Sequence, residues 1–238
     1  MNPSPSIAVV IPAFDEQELI ATTLAGIPGY VDAIYVVDDA SSDATVASAS
    51  SHTDDRLRVL RHSTNRGVGA AIVTGYTQAL SDGHDVLVVM AADNQMDPVD
   101  LHSLIEPVIQ GRADYVKGNR FAHEQVHDMP SLRRWAGRVL SWATRWVTKL
   151  DVDDCQCGFT ALSAEAAARL PLRSLWPRYG YPNDLLAMLA ERSLRVAEVR
   201  VRPIYANERS GVRAWHALVV LGLLWRAWLR RRRLVSAP

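Results

Sequence analysis

IAVVIPA, residues 7–13, is an unbroken apolar and β-branched run that ends directly in Phe14-Asp15-Glu16. A strand covered on both faces reads this way, because neither face alternates with water. Working outward, a helical stretch at Glu16–Ile27 leads to a second such run, AIYVVDD (Ala33–Asp39). Ser41 or Ser42 can cap a helix near Asp43–Ser50, and Leu57–Arg61 is a third, shorter strand. Gly69–Leu80 reads as a helix, and DVLVVM (Asp85–Met90) as the fourth strand. Asp97-Pro98 opens another helix with Pro98 in its first turn, and Ala113–Val116 is the fifth strand. Strand–helix alternation with apolar strands predicts an α/β chain with a mostly parallel, doubly wound sheet.

The composition fits that reading. The 238 residues are 48% hydrophobic and 22% charged, which excludes a disordered, collagenous or disulfide-framework protein. Lysine plus arginine and aspartate plus glutamate both number 26, so no excess charge argues for a nucleic-acid partner. The balance is uneven along the chain, with arginines crowded from Arg209 onward and acids mainly in the first two-thirds. Two cysteines, Cys155 and Cys157, are too few for a disulfide scaffold and read as reduced thiols. MNPSPS has no basic n-region or cleavage site, so no signal peptide is expected. No run reaches the ~20 apolar residues that span a bilayer. The expected location is cytoplasmic, in peripheral contact with the membrane.

Doubly wound sheets bind ligands beyond the carboxyl ends of their strands. Polar residues fall at those ends four times: Pro12, Asp15 and Glu16 after strand one, Asp38 and Asp39 at the end of strand two, Asp93 and Gln95 after strand four, and Gly118, Asn119 and Arg120 after strand five. Turns and caps explain any one such cluster. Four clusters on one edge point to a ligand site.

After Arg120 the alternation breaks. Met129–Leu150 is helical, with Leu132, Trp135, Ala136, Val139, Ala143, Trp146 and Leu150 on one side and Arg134, Arg138, Arg145 and Lys149 flanking it. Tryptophan beside arginine and lysine is the composition of an interfacial helix; a helix packed on the domain with a solvated basic flank reads the same way. Gly158–Ser163 and Arg195–Tyr205 look like later strands, with Pro182–Glu191 helical between them. The tail Ala214–Arg233 ends in four arginines, Arg230–Arg233, which suit a surface-lying helix with anionic phosphates as counter-ions. Residues 1–211 thus read as one domain and 212–238 as a basic amphipathic tail helix.

Asp93 and Gln95 offer two oxygen ligands at a strand end, suited to Mg²⁺ or Mn²⁺ that fills its other positions with phosphate oxygens and water. Asp38 and Asp39 suit a nucleobase or ribose, and Arg120 a phosphate. These sites on one edge imply a nucleotide-diphosphate ligand. No P-loop motif is present, and Asn65–Gly69 (NRGVG) lacks the full dinucleotide fingerprint.

Five motifs together resemble family 2 glycosyltransferases of the GT-A fold: PAFDE (Pro12–Glu16), VVDDASSD (Val36–Asp43), NRGVGAA (Asn65–Ala71), AADNQMDP (Ala91–Pro98) and GNRF (Gly118–Phe121). DCQCGFTA (Asp154–Ala161) and ERSG (Glu208–Gly211) extend the likeness over nearly the whole chain. The branch it resembles is that of the polyprenyl-phosphate sugar transferases. The resemblance implies that Pro12, Ala13, Asp15, Glu16, Asp38, Asp39, Ala92 and Asp93 bind a nucleotide sugar, with Asp39 on the base. It implies a metal on Asp93 and Gln95, and an acceptor phosphate on Arg120 with Arg133 or Arg134. The family usually has an acid where Ala91 stands, and Asp15 replaces a more usual Asn.

The reaction expected is inverting, metal-dependent transfer of a hexose to polyprenyl phosphate, with catalysis assigned to Asp93, Arg120 and Asp184. In a rival reading the acceptor is a hydroxyl of a glycolipid or polysaccharide and Asp184 is its general base; a helix cap or first-turn acid is the plain structural alternative for that residue. A second rival is a nucleotide-sugar-binding protein without catalysis. The oligomeric state is left open.

Overall fold

In the computed structural model, which describes residues 4–204 and 215–235, the chain opens with β1 (Ile7–Ala13), α1 (Ile20–Ala25), β2 (Ala33–Asp38), α2 (Thr45–Ser50), β3 (Leu57–Arg61), α3 (Val68–Ser81) and β4 (Val86–Val89). It continues through α4 (Leu101–Ile109), β5 (Tyr115–Asn119), α5 (Ser131–Thr148), β6 (Thr160–Ser163), α6 (Ala164–Arg169), α7 (Tyr181–Glu191), β7 (Val196–Arg200) and α8 (Trp215–Val235). The expected sheet is present, in the order β3-β2-β1-β4-β6-β5-β7. All neighbours pair in parallel except β6, which runs antiparallel to both β4 and β5. The chain crosses the sheet end through α5 before β6, so β6 enters from the opposite side.

Alternate residues of β1 feed two cores. Val9 and Ile11 pack with α1 and α4, whereas Ala8 and Val10 pack beneath α3 and α7. Burial on both faces explains why β1, β2 and β4 read as continuous apolar runs. A smaller cluster of Val147, Ala187, Val220, Leu224 and Ala227 joins α5, α7 and α8.

Several expected boundaries move. The first helix shrinks from Glu16–Ile27 to Ile20–Ala25, because the backbone N–H groups of Glu16 and Gln17 donate to Thr45 Oγ1 (2.8 Å) and Asp43 Oδ2 (3.2 Å) in the neighbouring loop. Neither Ser41 nor Ser42 caps α2; both bond Asp15 instead. The fifth strand shifts to Tyr115–Asn119, so Gly118 and Asn119 are sheet residues. Asp97 does cap the turn that precedes α4, accepting from Val99 N at 3.1 Å. The strand expected at Arg195–Tyr205 ends at Arg200, and ERSG (Glu208–Gly211) lies outside the described residues.

Candidate functional site

Loops after β1, β2 and β4 meet at one end of the sheet. The first two are stitched together: Asp15 N donates to Ser41 Oγ (3.0 Å), Ser42 N returns a bond to Asp15 Oδ1 (2.8 Å), and Ala44 N reaches Gln17 Oε1 (2.9 Å). Each of the three loops holds one non-glycine residue at positive φ: Asp15 (55°), Ala40 (64°) and Asn94 (56°). Alanine gains no side-chain compensation in that region, so the surrounding bonds fix the loop shape. Gly67 and Gly69 begin α3 under the Trp176–Arg178 segment, where an added Cβ would lie 2.4 Å from Pro177 O and 2.3 Å from Trp176 O. Only glycine permits that approach.

A cavity of 320 Å³ opens between these loops, walled by Pro12, Ala13 and Glu16 from the first loop, Asp39 from the second, Gly67 and Val68 from α3, and Ala91–Asp93. Six of the eight residues expected to hold a nucleotide sugar line it. The other two do not. Asp15 is spent on the loop stitch, and Asp38 is fully buried behind it, accepting from Ser41 N at 3.2 Å and lying 3.5 Å from Arg61 Nε. Asp39 is held rigidly: Oδ1 accepts from Arg66 N (2.8 Å) and pairs with His62 Nδ1 (2.7 Å), and Oδ2 accepts from Gly67 N (2.6 Å). One lone pair on Oδ2 therefore remains to receive a ligand N–H.

Asp93 also borders a second, smaller cavity of 40 Å³ together with Gln95, Arg120, Cys157, Gly158 and Arg202. Asp93 Oδ1 accepts from Gln95 N at 3.1 Å, so both side chains spring from one tight turn. A carboxylate and a carboxamide are hard donors that fit Mg²⁺ or Mn²⁺ shared with a phosphate. They do not make a cage by themselves: among the described residues no group of three or more His, Cys, Asp or Glu side chains gathers at one point.

Arg120 is aimed by Asp154, with Nε 2.7 Å from Oδ2 and Nη2 2.9 Å from Oδ1. Burial pushes the Asp154 carboxyl up, but the Arg120 guanidinium and the Lys117 ammonium outweigh it and hold it below its ordinary value. Lys117 is itself fully buried, donating to Cys157 O, and burial pulls its ammonium down. Glu198 clamps the segment beneath, accepting from Asp154 N and Asp153 N at 2.9 Å and from Asn119 Nδ2 at 2.8 Å. Its carboxyl is raised by burial. Cys155 and Cys157 are both buried and free.

Of the two arginines left open by the sequence, Arg133 lies near enough to Tyr179 for its charge to act on that phenol. Burial raises the Tyr179 phenol, and Arg133 and Arg120 both draw it back. Arg134 turns away to Val126 O at 3.3 Å. The Tyr179 hydroxyl donates to Gln156 Oε1 (2.9 Å), Gln156 Nε2 to Asn183 Oδ1 (2.7 Å), and Asn183 Nδ2 to Thr144 Oγ1 (2.8 Å), a polar ladder that seats α5 on α7. Asp184 joins neither cavity. It is buried, accepts from Trp176 N (2.9 Å), and pairs with Arg226 and Arg230 of α8. The tail arginines are thus partly turned inward: Arg230 also meets Glu191 at 2.9 Å, and Arg231 donates to the Val147 and Thr148 carbonyls.

The tryptophan stripe points the other way from a core. Leu132, Trp135, Val139, Trp142 and Trp146 are exposed, while Ser141, Thr144, Val147 and Thr148 face inward. Leu218, Leu221, Trp225 and Leu229 of the adjoining α8 are exposed too. Among the described residues no helix is long and apolar enough to cross a membrane.

Sequence reasoning missed His62, Lys117, Glu198, Tyr179 and Arg202, whose spacing carries no motif; Asp154 stood inside a quoted motif without a role.

The family model "Glycosyl transferase family 2" matches residues 8–169. An undecaprenyl-phosphate mannosyltransferase of Micrococcus luteus is 31% identical over 204 residues, covering 82% of each chain. A UDP-N-acetylglucosamine–dolichyl-phosphate N-acetylglucosaminyltransferase of Methanococcus voltae is 27% identical over 236 residues, covering 92% of this chain and 94% of its own. Among solved structures, glucosyl-3-phosphoglycerate synthase of Mycobacterium tuberculosis, in complex with Mn²⁺, UDP-glucose and phosphoglyceric acid, superposes with a TM-score of 0.73 at 22% identity, over 94% of this chain and 80% of that one. With the GT-A sheet, the motif-bearing strand ends and this match over most of the chain in agreement, the protein belongs to glycosyl transferase family 2.

Proposed function

We propose that this glycosyltransferase moves a hexose, with inversion, from a nucleotide-diphosphate sugar to polyprenyl phosphate at the cytoplasmic face of a membrane. The observation that carries the reading is that Asp93 lines both cavities, so the wall of the nucleoside-sized space continues directly into the arginine-lined one. In this reading the nucleoside occupies the 320 Å³ cavity, with Asp39 Oδ2 accepting a base N–H. The diphosphate then lies at Asp93 and Gln95, and Arg120 and Arg133 receive the acceptor phosphate. A divalent cation bound by Asp93 and Gln95 would offset the charge that grows on the departing diphosphate.

The chemistry asks little else of the chain. A phosphate monoester is largely dianionic near neutral pH, its second pKa being about 6. It therefore attacks the anomeric carbon without a general base, from the face opposite the leaving diphosphate. Arg120, fixed at two points by Asp154, presents its fork in one orientation, which favours a near-attack geometry. A 370 Å³ groove bordered by Phe121, Arg138 and Trp142 begins at Asn119, beside Arg120, and suits the first isoprene units of the acceptor. The exposed apolar stripes of α5 and α8 are the surface we assign to the bilayer interface.

The test is direct. Purified protein is incubated with Mn²⁺, radiolabelled UDP-, GDP- and dTDP-hexoses in turn, and undecaprenyl or dolichyl phosphate in detergent. Label extracted with the lipid supports the proposal. Label carried only by hydroxyl acceptors, or none at all, overturns it.

A further inference from the structure

We propose that Arg202 binds the donor's pyrophosphate and supplies positive charge that a second carboxylate-anchored cation site would otherwise bring. The inference rests on the donor reading above and names a residue that reading does not use. Asp93 is the residue common to both linings, and Ala91 and Ala92, which precede it in the wall of the larger cavity, carry only methyl groups, so the 91–93 segment offers a single carboxylate. A cation held by one carboxylate and one carboxamide is weakly anchored, yet a diphosphate brings at least two negative charges that must be met.

Two guanidinium groups, Arg120 and Arg202, line the small cavity on the far side of Asp93. Arg120 is already committed to Asp154 through two bonds. Arg202 is not so committed. Its one ion-pair contact among the described residues is Nη1 to Asp97 Oδ2 at 3.7 Å, longer than a hydrogen bond, and its side chain is 51% exposed. Its backbone is nevertheless fixed, since Arg202 N donates to Asp100 Oδ2 at 2.7 Å. Asp97 and Asp100 belong to the short 3-10 turn that directly follows Asp93 and Gln95, so Arg202 is anchored next to the segment that carries the two oxygen donors. An arginine pinned at its Cα, with a loosely held head beside an anion site, meets phosphate oxygens at low reorganisation cost.

The experiment measures binding of UDP, GDP and dTDP to the full chain by calorimetry, with 1 mM-scale Mn²⁺ or with EDTA. The expected result is that the preferred nucleotide binds wild-type protein without metal, and that Arg202→Gln weakens this metal-free binding about tenfold or more, with Arg202→Lys recovering part of it. With Mn²⁺ present the same substitution costs less. Ala91→Asp should restore strict dependence, tightening Mn²⁺ binding read by electron paramagnetic resonance. An Arg202→Gln variant that folds normally and keeps its nucleotide affinity in EDTA would overturn the assignment, and so would one whose only defect is a raised KM for the lipid phosphate. Wild-type protein that binds no nucleotide even with Mn²⁺ would sink the donor reading itself, and the role of Arg202 with it.

Discussion

Asp184, buried in the first turn of α7, holds Arg226 of the C-terminal helix at 2.8 Å. The same carboxylate accepts from Trp176 N at 2.9 Å, so it ties three segments together: the 172–180 connection, α7 and α8. A general base needs a path to its substrate, and this group has neither exposure nor a place in either cavity. Losing one partner of a fully buried ion pair costs about 3–5 kcal/mol, and the partial exposure of Arg226 reduces that to about 1–2 kcal/mol. At this chain length each kcal/mol moves Tm by about 2–4 °C. Asp184→Asn is therefore expected to lower Tm by about 2–8 °C and to reduce transfer only in proportion to the unfolded fraction. Arg226→Gln should do the same, with the double variant less than additive. A variant with wild-type Tm and no transfer would return Asp184 to the role of base.

Asp93 is the opposite case. It lies half-buried in a turn at the cavity wall, where its Oδ1 accepts from Gln95 N. Asp93→Asn keeps the shape and removes the charge. Transfer is expected to fall by about 100-fold or more, the scale seen when one preorganised electrostatic group is removed, while Tm stays within the spread of surface changes. Equal turnover by variant and wild type would remove the metal and diphosphate from this corner.

Stability should collapse in acid over a defined window. Arg56 holds Asp54 down to about 2 through hydrogen bonds and charge, Arg195 lowers Asp114 in the same way, and Asp154 is lowered against its burial by Arg120. A carboxyl whose folded pKa lies below its unfolded value contributes stability that is complete above about pH 4 and is lost as pH falls through the folded pKa. Glu198 runs the other way, because burial raises it, so acid relieves its cost. With Asp43 and Asp82 also held low by hydrogen bonds from Thr45 and Tyr35, five depressed carboxyls against one raised one predict a Tm that is nearly flat from pH 7 to 5 and falls steeply between about pH 4 and 2. A Tm that rises over that interval would show that Glu198 dominates.

The strands were legible because burial on both faces leaves an unbroken apolar run, as at Ile7–Ala13 and Ala33–Asp38. The antiparallel insertion of β6 was not, since four residues with both faces covered carry no direction. Site residues at strand ends, Asp39 and Asp93, could be read from their place after a strand. From their position alone Asp38 and Asp39 could not be told apart, because one residue of register decides which faces the cavity and which the interior; only the family resemblance singled out Asp39. The partners His62 and Asp154 come from elsewhere in the chain and meet the site only through the fold. The periodicity of α5 was readable, but not which way it faced. Ser141 and Thr144 face inward because Cys155 N and Asn183 Nδ2 bond their hydroxyls, leaving the tryptophans outside.

That orientation sets the last prediction. If α5 and α8 meet a bilayer interface, the energy comes from aromatic insertion more than from the tail arginines, two of which are engaged with Glu191 and with the C-terminal carbonyls of α5. Burying one large apolar side chain is worth about 1.5–3 kcal/mol, so replacing both Trp142 and Trp146 by serine should weaken partition to anionic vesicles by about 100-fold or more. Their exposure, 69% and 55%, means that Tm should not change. Replacing Arg230 and Arg231 by glutamine should lower Tm instead, with a smaller loss of vesicle binding. Co-sedimentation with vesicles at low and high salt reads both effects. Equal pelleting of the tryptophan variant and the wild type would mean that this stripe meets something other than a membrane.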